Sequence, residues 1–218
     1  NLGDRLMKNN TKFPPPVALD YIIPSLRGIF HLHQHGIIHR DIKPENIMLK
    51  EDEEGHLIPK ITDFGLAKEM AGQTSLTGFG ARMGSYFYMP HEQLNDTRNV
   101  DEKADIYAIG ATLYMLLTGK YPFAYPSPLD ARQYLNNRNV DDDMAISRAQ
   151  LALQKLNRRP SPPYIVLSER PVPIQRHLPQ LPTGLITAIN KALSKDKQMR
   201  HQSAEELLEV LLTEREKI

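Results

Sequence analysis

The 218 residues include no cysteine. That excludes a disulfide framework, a thiolate zinc site and a thiol nucleophile, and it points to a reducing compartment, the cytoplasm. Charge of one sign is lacking too. Twenty-seven basic side chains against 26 acidic ones leave a formal net charge of +1, too weak a field to hold a nucleic-acid backbone or an anionic membrane, so no nucleic-acid partner is expected. No apolar run approaches the roughly 20 residues that cross a bilayer, and Asn1-Leu2-Gly3-Asp4 is not the basic start of a signal peptide. No membrane segment is expected. There is no internal repeat and no initiator methionine, which predicts a piece of a longer protein. What is present, 40% hydrophobic and 24% charged side chains, fits one globular domain or two small ones.

Apolar residues at Leu19, Ile22, Ile23, Leu26, Ile29 and Phe30 keep helical spacing and predict a helix from about 16 to 35, stopped by Gly36 and strained at Pro24. The runs 47–49 and 57–62, separated by the turn 51–55, predict a small hairpin. Residues 63–92 carry no sustained period and read as a long functional loop. Asp101 to Thr118 reads as an apolar central helix ended by Gly119. Residues 128–158 read as moderately helical, 160–182 as a proline-rich extended strap, and 183–194 and 203–216 as closing helices, the last opened by a Ser203/Glu206 capping box. The fold class expected is mainly α with a small β-hairpin.

The densest polar cluster is His39-Arg40-Asp41-Ile42-Lys43-Pro44-Glu45-Asn46, at a junction of helix and strand, where side chains are exposed on a rigid frame. Asp63-Phe64-Gly65 follows the hairpin, so the paired strands can carry its carboxylate towards Asn46. An Asp and an Asn converging from two elements offer hard oxygens, suited to magnesium holding a polyphosphate. Lys43 can place a cation beside any hydroxyl whose proton Asp41 accepts. Proton acceptor, cation and metal oxygens together describe phosphoryl transfer.

These motifs, in this order and spacing, resemble the C-terminal lobe of eukaryotic-type serine/threonine protein kinases: His39-Arg40-Asp41 with Asn46 as the catalytic loop (39–46), and Asp63-Phe64-Gly65 opening the activation segment (63–92). The resemblance continues through Gly84-Ser85-Tyr86-Phe87-Tyr88-Met89, like the family's substrate-docking loop, through Asp105 to Gly110 in the central helix, and through Lys195 to Arg200. It is weakest over an insert at roughly 124–180.

The resemblance implies ATP- and magnesium-dependent phosphorylation of protein serine or threonine hydroxyls. Asp41, Lys43 and Asn46 would be catalytic, and Lys43, Glu45, Asn46, Met48 and Asp63 would bind the nucleotide. Asn46 and Asp63 would hold the metal, Arg40 would sense a phosphate on Thr74, Ser75 or Thr77, and Glu92 would pair with Arg200. The partners implied are a protein substrate and ATP.

Departures accompany the match. Pro90-His91-Glu92 stands where the family has Ala-Pro-Glu, and the family's glycine-rich loop, phosphate-gripping lysine and small N-terminal lobe precede Asn1. Gly78-Phe79-Gly80 lacks the third glycine and the preceding strand of a phosphate loop. The 218 residues alone are therefore expected to transfer phosphate negligibly. The alternative reading is a catalytically inactive kinase-like fragment that serves as a protein-binding module.

Asp105 reads either as an acid favoured by the helix dipole or, by resemblance, as an anchor of the catalytic-loop backbone. Met48 and Phe64 read as core, as adenine-binding or internal-spine residues, or as both. His31, His33, His35 and His39 read as a solvated helix end rather than a zinc site, and Arg158-Arg159 as plain surface.

Overall fold

Leu2 and Leu6, four residues apart, lie on one side of a short helix, α1 (Leu2–Asn9), and both are buried. The computed structural model, in which α1 is the first element, describes residues 1–9, 12–63, 83–97, 99–135, 143–157 and 159–218. The sequence had promised only a polar opening here. Two leucines over eight residues are too few to register as a period, and α1 gains its place by packing on residues 44–46 and the strand that follows them.

The helix α2 (Pro15–Gln34) starts with prolines in its first turn, where no backbone donor is lost, and buries the predicted apolar face. It runs through Pro24 without a break, and in the adjoining turn Ser25 Oγ donates to the carbonyl of Tyr21 at 2.8 Å. Gly36, at φ 70°, follows the helix end in the left-handed region that glycine tolerates. The strands β1 (Ile47–Glu51) and β2 (Leu57–Ile61) then pair antiparallel, with Ile47 opposite Ile61, and β2 lies against α2.

The stretch 63–92 is not loop throughout. Residues 83–88 form a 3-10 helix, and α3 (His91–Asn95) follows, with the displaced Pro90 in extended backbone as its N-cap. The departure from the family pattern is thus absorbed by starting a helix. Residues 64–82, which include Phe64, Gly65, Thr74, Ser75, Thr77 and the Gly78-Phe79-Gly80 run, lie outside the described residues.

The helix α4 (Lys103–Thr118) is buried on every side from Ala104 to Leu117, as a helix apolar all round should be. Five further helices are described: α5 (Pro128–Tyr134), α6 (Asp143–Leu156), α7 (Pro162–Ser168), α8 (Thr183–Ala192) and α9 (Ala204–Arg215). The helix α4 packs on α2 and α8, and α9 closes over α2 and α8. The approach of α4 to α8 is tight: a β-carbon on Gly110 would lie 2.8 Å from that of Ala192.

The helix α7 interrupts the expected strap because its two opening prolines sit in the first turn. At α9 Ser203 Oγ caps the amide of Glu206 at 3.1 Å, but the Glu206 carboxylate bonds the amide of Gln202 and Lys191 instead of closing the capping box. A full capping box forms instead at Ser127 and Asp130, opening α5. Among the described residues no helix is long and apolar enough to cross a membrane.

Candidate active site

Asp105, in the first turn of α4, has no exposed surface, and both of its carboxylate oxygens are engaged. Oδ2 accepts from the amide of His39 at 2.8 Å and meets His33 Nε2 at 2.9 Å, while Oδ1 accepts from the amide of Arg40 at 2.8 Å. A buried carboxylate needs such donors to offset its desolvation. Here they come from the start of the polar cluster, so the segment 39–46 is strapped to the central helix. Of the two readings of Asp105, the anchor is the one realised.

The strap holds an unusual backbone. Arg40 has φ 68° and Asp63 φ 59°, both left-handed without being glycine. Gln93 of α3 fixes the next group by donating Nε2 to the carbonyl of Arg40 at 2.7 Å. His39 is fully buried, with Nε2 2.9 Å from the carbonyl of Thr62, and its Nδ1 accepts from the amide of Asp41 at 3.3 Å. That pattern puts the imidazole proton on Nε2. The histidines are accordingly not one solvated helix end. His31 and His35 are exposed, but His33 and His39 are turned inward, because each has a buried oxygen to meet.

Asp41, Lys43 and Asn46 come together as expected. Lys43 Nζ lies 3.2 Å from Asp41 Oδ2, and Asn46 Nδ2 donates to the Asp41 carbonyl at 2.7 Å and to its carboxylate at 3.2 Å. Lys43 Nζ also reaches Ser85 Oγ at 3.4 Å, tying this cluster to residues 83–88. With its amide nitrogen spent on Asp41, Asn46 keeps its carbonyl oxygen as the atom fit for a hard cation. The hairpin brings a further carboxylate to the end of β2. Thr62 donates its amide to the main-chain carbonyl of Asn46 at 3.0 Å, leaving the side-chain oxygen untouched, and the exposed Asp63 follows directly.

Glu45 and Met48 are both exposed, on either side of buried Asn46 and Ile47. The reading of Met48 as core is therefore corrected: the pleat of β1 sends Ile47 inward and its neighbour Met48 outward.

Three residues of this network were not singled out in the sequence: Ser85, Gln93 and the separate role of His33. A hydroxyl just after Gly84 was a usable signal for Ser85. Gln93 and His33 act on backbone or carboxylate from distant elements, and nothing in their own neighbourhoods announces it.

A carboxylate with a lysine and an amide on it is equipped to accept a proton from a hydroxyl brought beside it. Comparison with known proteins bears on the class directly. The family model described as "Protein kinase domain" matches residues 2–215. The chain belongs to the protein kinase family.

Among its relatives, the "Serine/threonine-protein kinase PknB" of Mycobacterium leprae is 31% identical over 194 residues, covering 89% of this chain and 25% of that protein. The "Serine/threonine-protein kinase PknL" of Mycobacterium tuberculosis is 38% identical over 116 residues, covering 53% of this chain and 28% of that protein. The "Probable serine/threonine-protein kinase PknB" of Lactococcus lactis is 33% identical over 191 residues, covering 88% and 25%. The chain thus spans about a quarter of the length of the curated relatives it matches.

Proposed function

We propose that the protein carrying this chain transfers the γ-phosphoryl group of ATP to serine or threonine hydroxyls of proteins, with this chain as its larger, C-terminal lobe. The observation that carries the reading is the cluster of Asp41, Lys43 and Asn46, hung from the buried carboxylate of Asp105. Asp41 accepts the proton of the attacking hydroxyl. Lys43, between Asp41 and Ser85, offsets the charge that builds as the phosphoryl group moves. Asn46 and Asp63 supply oxygen ligands for magnesium, which when bound neutralises charge along the polyphosphate. Exposed Met48 offers apolar surface to the adenine, and Lys43 and Glu45 flank the nucleotide.

Lys43 and the names of the relatives both favour serine and threonine over tyrosine as acceptors. The near-zero net charge and the absence of cysteine favour a protein substrate in the cytoplasm over a nucleic acid. In this reading the insert at 124–180 belongs to the same lobe.

The test is a radiolabelled phosphate-transfer assay on the full-length protein beside its Asp41→Asn variant. Substitution of a near-isosteric amide leaves folding intact and lowers transfer by about a hundred-fold or more. Transfer that persists in the variant refutes the assignment of Asp41. No transfer from the folded wild-type protein favours the alternative of a protein-binding module.

A further inference from the structure

The helix α6 lies in the stretch to which the sequence assigned no role, yet it bonds two tyrosines that pack on the residues around Ser85. Gln150, 6% exposed, donates Nε2 to Tyr121 Oη at 3.4 Å and to the carbonyl of Pro126 at 3.1 Å. One turn on, Gln154 accepts from Tyr125 Oη at 3.0 Å and donates to the carbonyls of Arg159 and Pro160 at 3.1 and 2.9 Å. Two amides of one helix therefore hold two phenols.

Both phenols press on residues 83–88. The Tyr121 and Tyr125 ring centroids lie 4.6 and 4.8 Å from that of Phe87, and a β-carbon on Gly84 would come within 2.1 Å of Tyr121 Oη. Gly84 precedes Ser85, whose hydroxyl meets Lys43, and Lys43 meets Asp41. Aromatic rings packed on one another slide at little cost, whereas a directional hydrogen bond fixes the ring to which it is made. Burial pushes the Tyr121 phenol up and the Tyr125 phenol up to about 12, so neither bond changes over the ordinary pH range.

We propose that α6 is a brace for the substrate-docking loop: Gln150 and Gln154 are positioning residues that seat Tyr121 and Tyr125 against Gly84 and Phe87 and so set where a protein substrate lies relative to Asp41. The proposal rests on the phosphoryl-transfer reading above. Its distinguishing consequence is selectivity. Among the described residues no hydrogen bond joins either glutamine to Lys43, Glu45, Asn46, Met48 or Asp63, and the one link onward, Ser85 to Lys43, runs through the docking loop itself, so the brace acts first on the protein substrate and not on the nucleotide.

The experiment measures KM for a protein substrate and for ATP separately in the full-length protein carrying Gln150→Ala, Gln154→Ala or Tyr121→Phe. Each is expected to raise the protein KM about five-fold, the factor one hydrogen bond carries, with the ATP KM unchanged. Adding Gln150→Ala to Tyr121→Phe is expected to raise it little further, because both remove the same bond. Tyr121→Phe keeps the ring and serves where Gln150→Ala does not fold. Equal shifts in both KM values, or a fall in kcat alone that follows the folded fraction, would reduce the glutamines to packing and overturn the brace. Wild-type turnover with an unaltered protein KM in every variant overturns the brace and leaves the kinase reading standing. No phosphate transfer from the wild-type protein overturns both.

Discussion

The guanidinium of Arg200, wholly buried, grips both oxygens of the Glu92 carboxylate at 2.5 and 3.0 Å across 108 residues of chain. Its remaining donors go to the carbonyls of Ser194, Lys103 and Lys195. Arg200→Ala takes five donors from those carbonyls and from a largely buried carboxylate that, among the described residues, keeps only His91 Nδ1 at 3.1 Å, and a loss of about 3 kcal/mol is expected. Arg200→Lys keeps the charge but not the fork, and is expected to recover only part of that loss. Chemical denaturation of the variants checks both, and an unchanged midpoint for Arg200→Ala removes the pair from the account.

Asp105→Asn replaces one acceptor oxygen with an amide that faces backbone donors of the segment 39–46. We expect a destabilisation of about 2 kcal/mol, from a buried donor left without a partner. Phosphate transfer should fall further than the folded fraction does, because Arg40 loses the restraint on its left-handed backbone. Transfer per folded molecule equal to wild type would show that the strap does not govern the loop.

Gly110→Ala sets two effects against each other. Alanine favours a helix over glycine by about 1 kcal/mol. The added β-carbon would meet that of Ala192 at 2.8 Å and must push α4 and α8 apart, at a cost of about 1 to 3 kcal/mol. Net destabilisation is expected. A thermal midpoint raised by the substitution would show that the two helices separate freely.

Acid should weaken the fold through His201. Burial, aided by Lys191 and opposed by the Ala188 carbonyl and Glu206, holds its imidazole below the ordinary value of 6.5. The unfolded chain therefore takes up the proton more readily than the folded one. Stability is full above 6.5 and falls as the pH drops through that value. His201→Asn should show a smaller loss between about pH 7.5 and about pH 5.5. Denaturant midpoints at the two pH values give the comparison, and identical losses would assign the acid sensitivity to other groups.

The legible parts of this molecule are those whose residues answer to near neighbours. The face of α2, the two short runs of the hairpin and the apolar run of α4 each state their own geometry, and the order of Asp41, Lys43, Asn46 and Asp63 points to the family. What was hidden depends on partners far along the chain. Leu2 and Leu6 make a helix because residues 44–46 and β1 offer a surface for it. His33 is inside because Asp105, 72 residues away, needs a donor. Gln93 matters through the carbonyl of Arg40, 53 residues before it, and no local pattern reveals such a pairing. Proline misled at both Pro24 and Pro162 for one reason: its effect on a helix is set by its place within the helix and by what else the turn can bond.

The anchoring of the segment 39–46 by Asp105 also has a consequence during synthesis. His39 is made 66 residues before the carboxylate that fixes its amide, and at about 5 to 20 residues per second the interval is roughly 3 to 13 s. For that time the nascent chain carries Asp41, Lys43 and Asn46 without the Asp105 anchor of their backbone. Glu92 then waits for Arg200 across a longer stretch still. The fixed geometry of residues 39–46 is thus a late property of the growing polypeptide, gained only once Asp105 has followed.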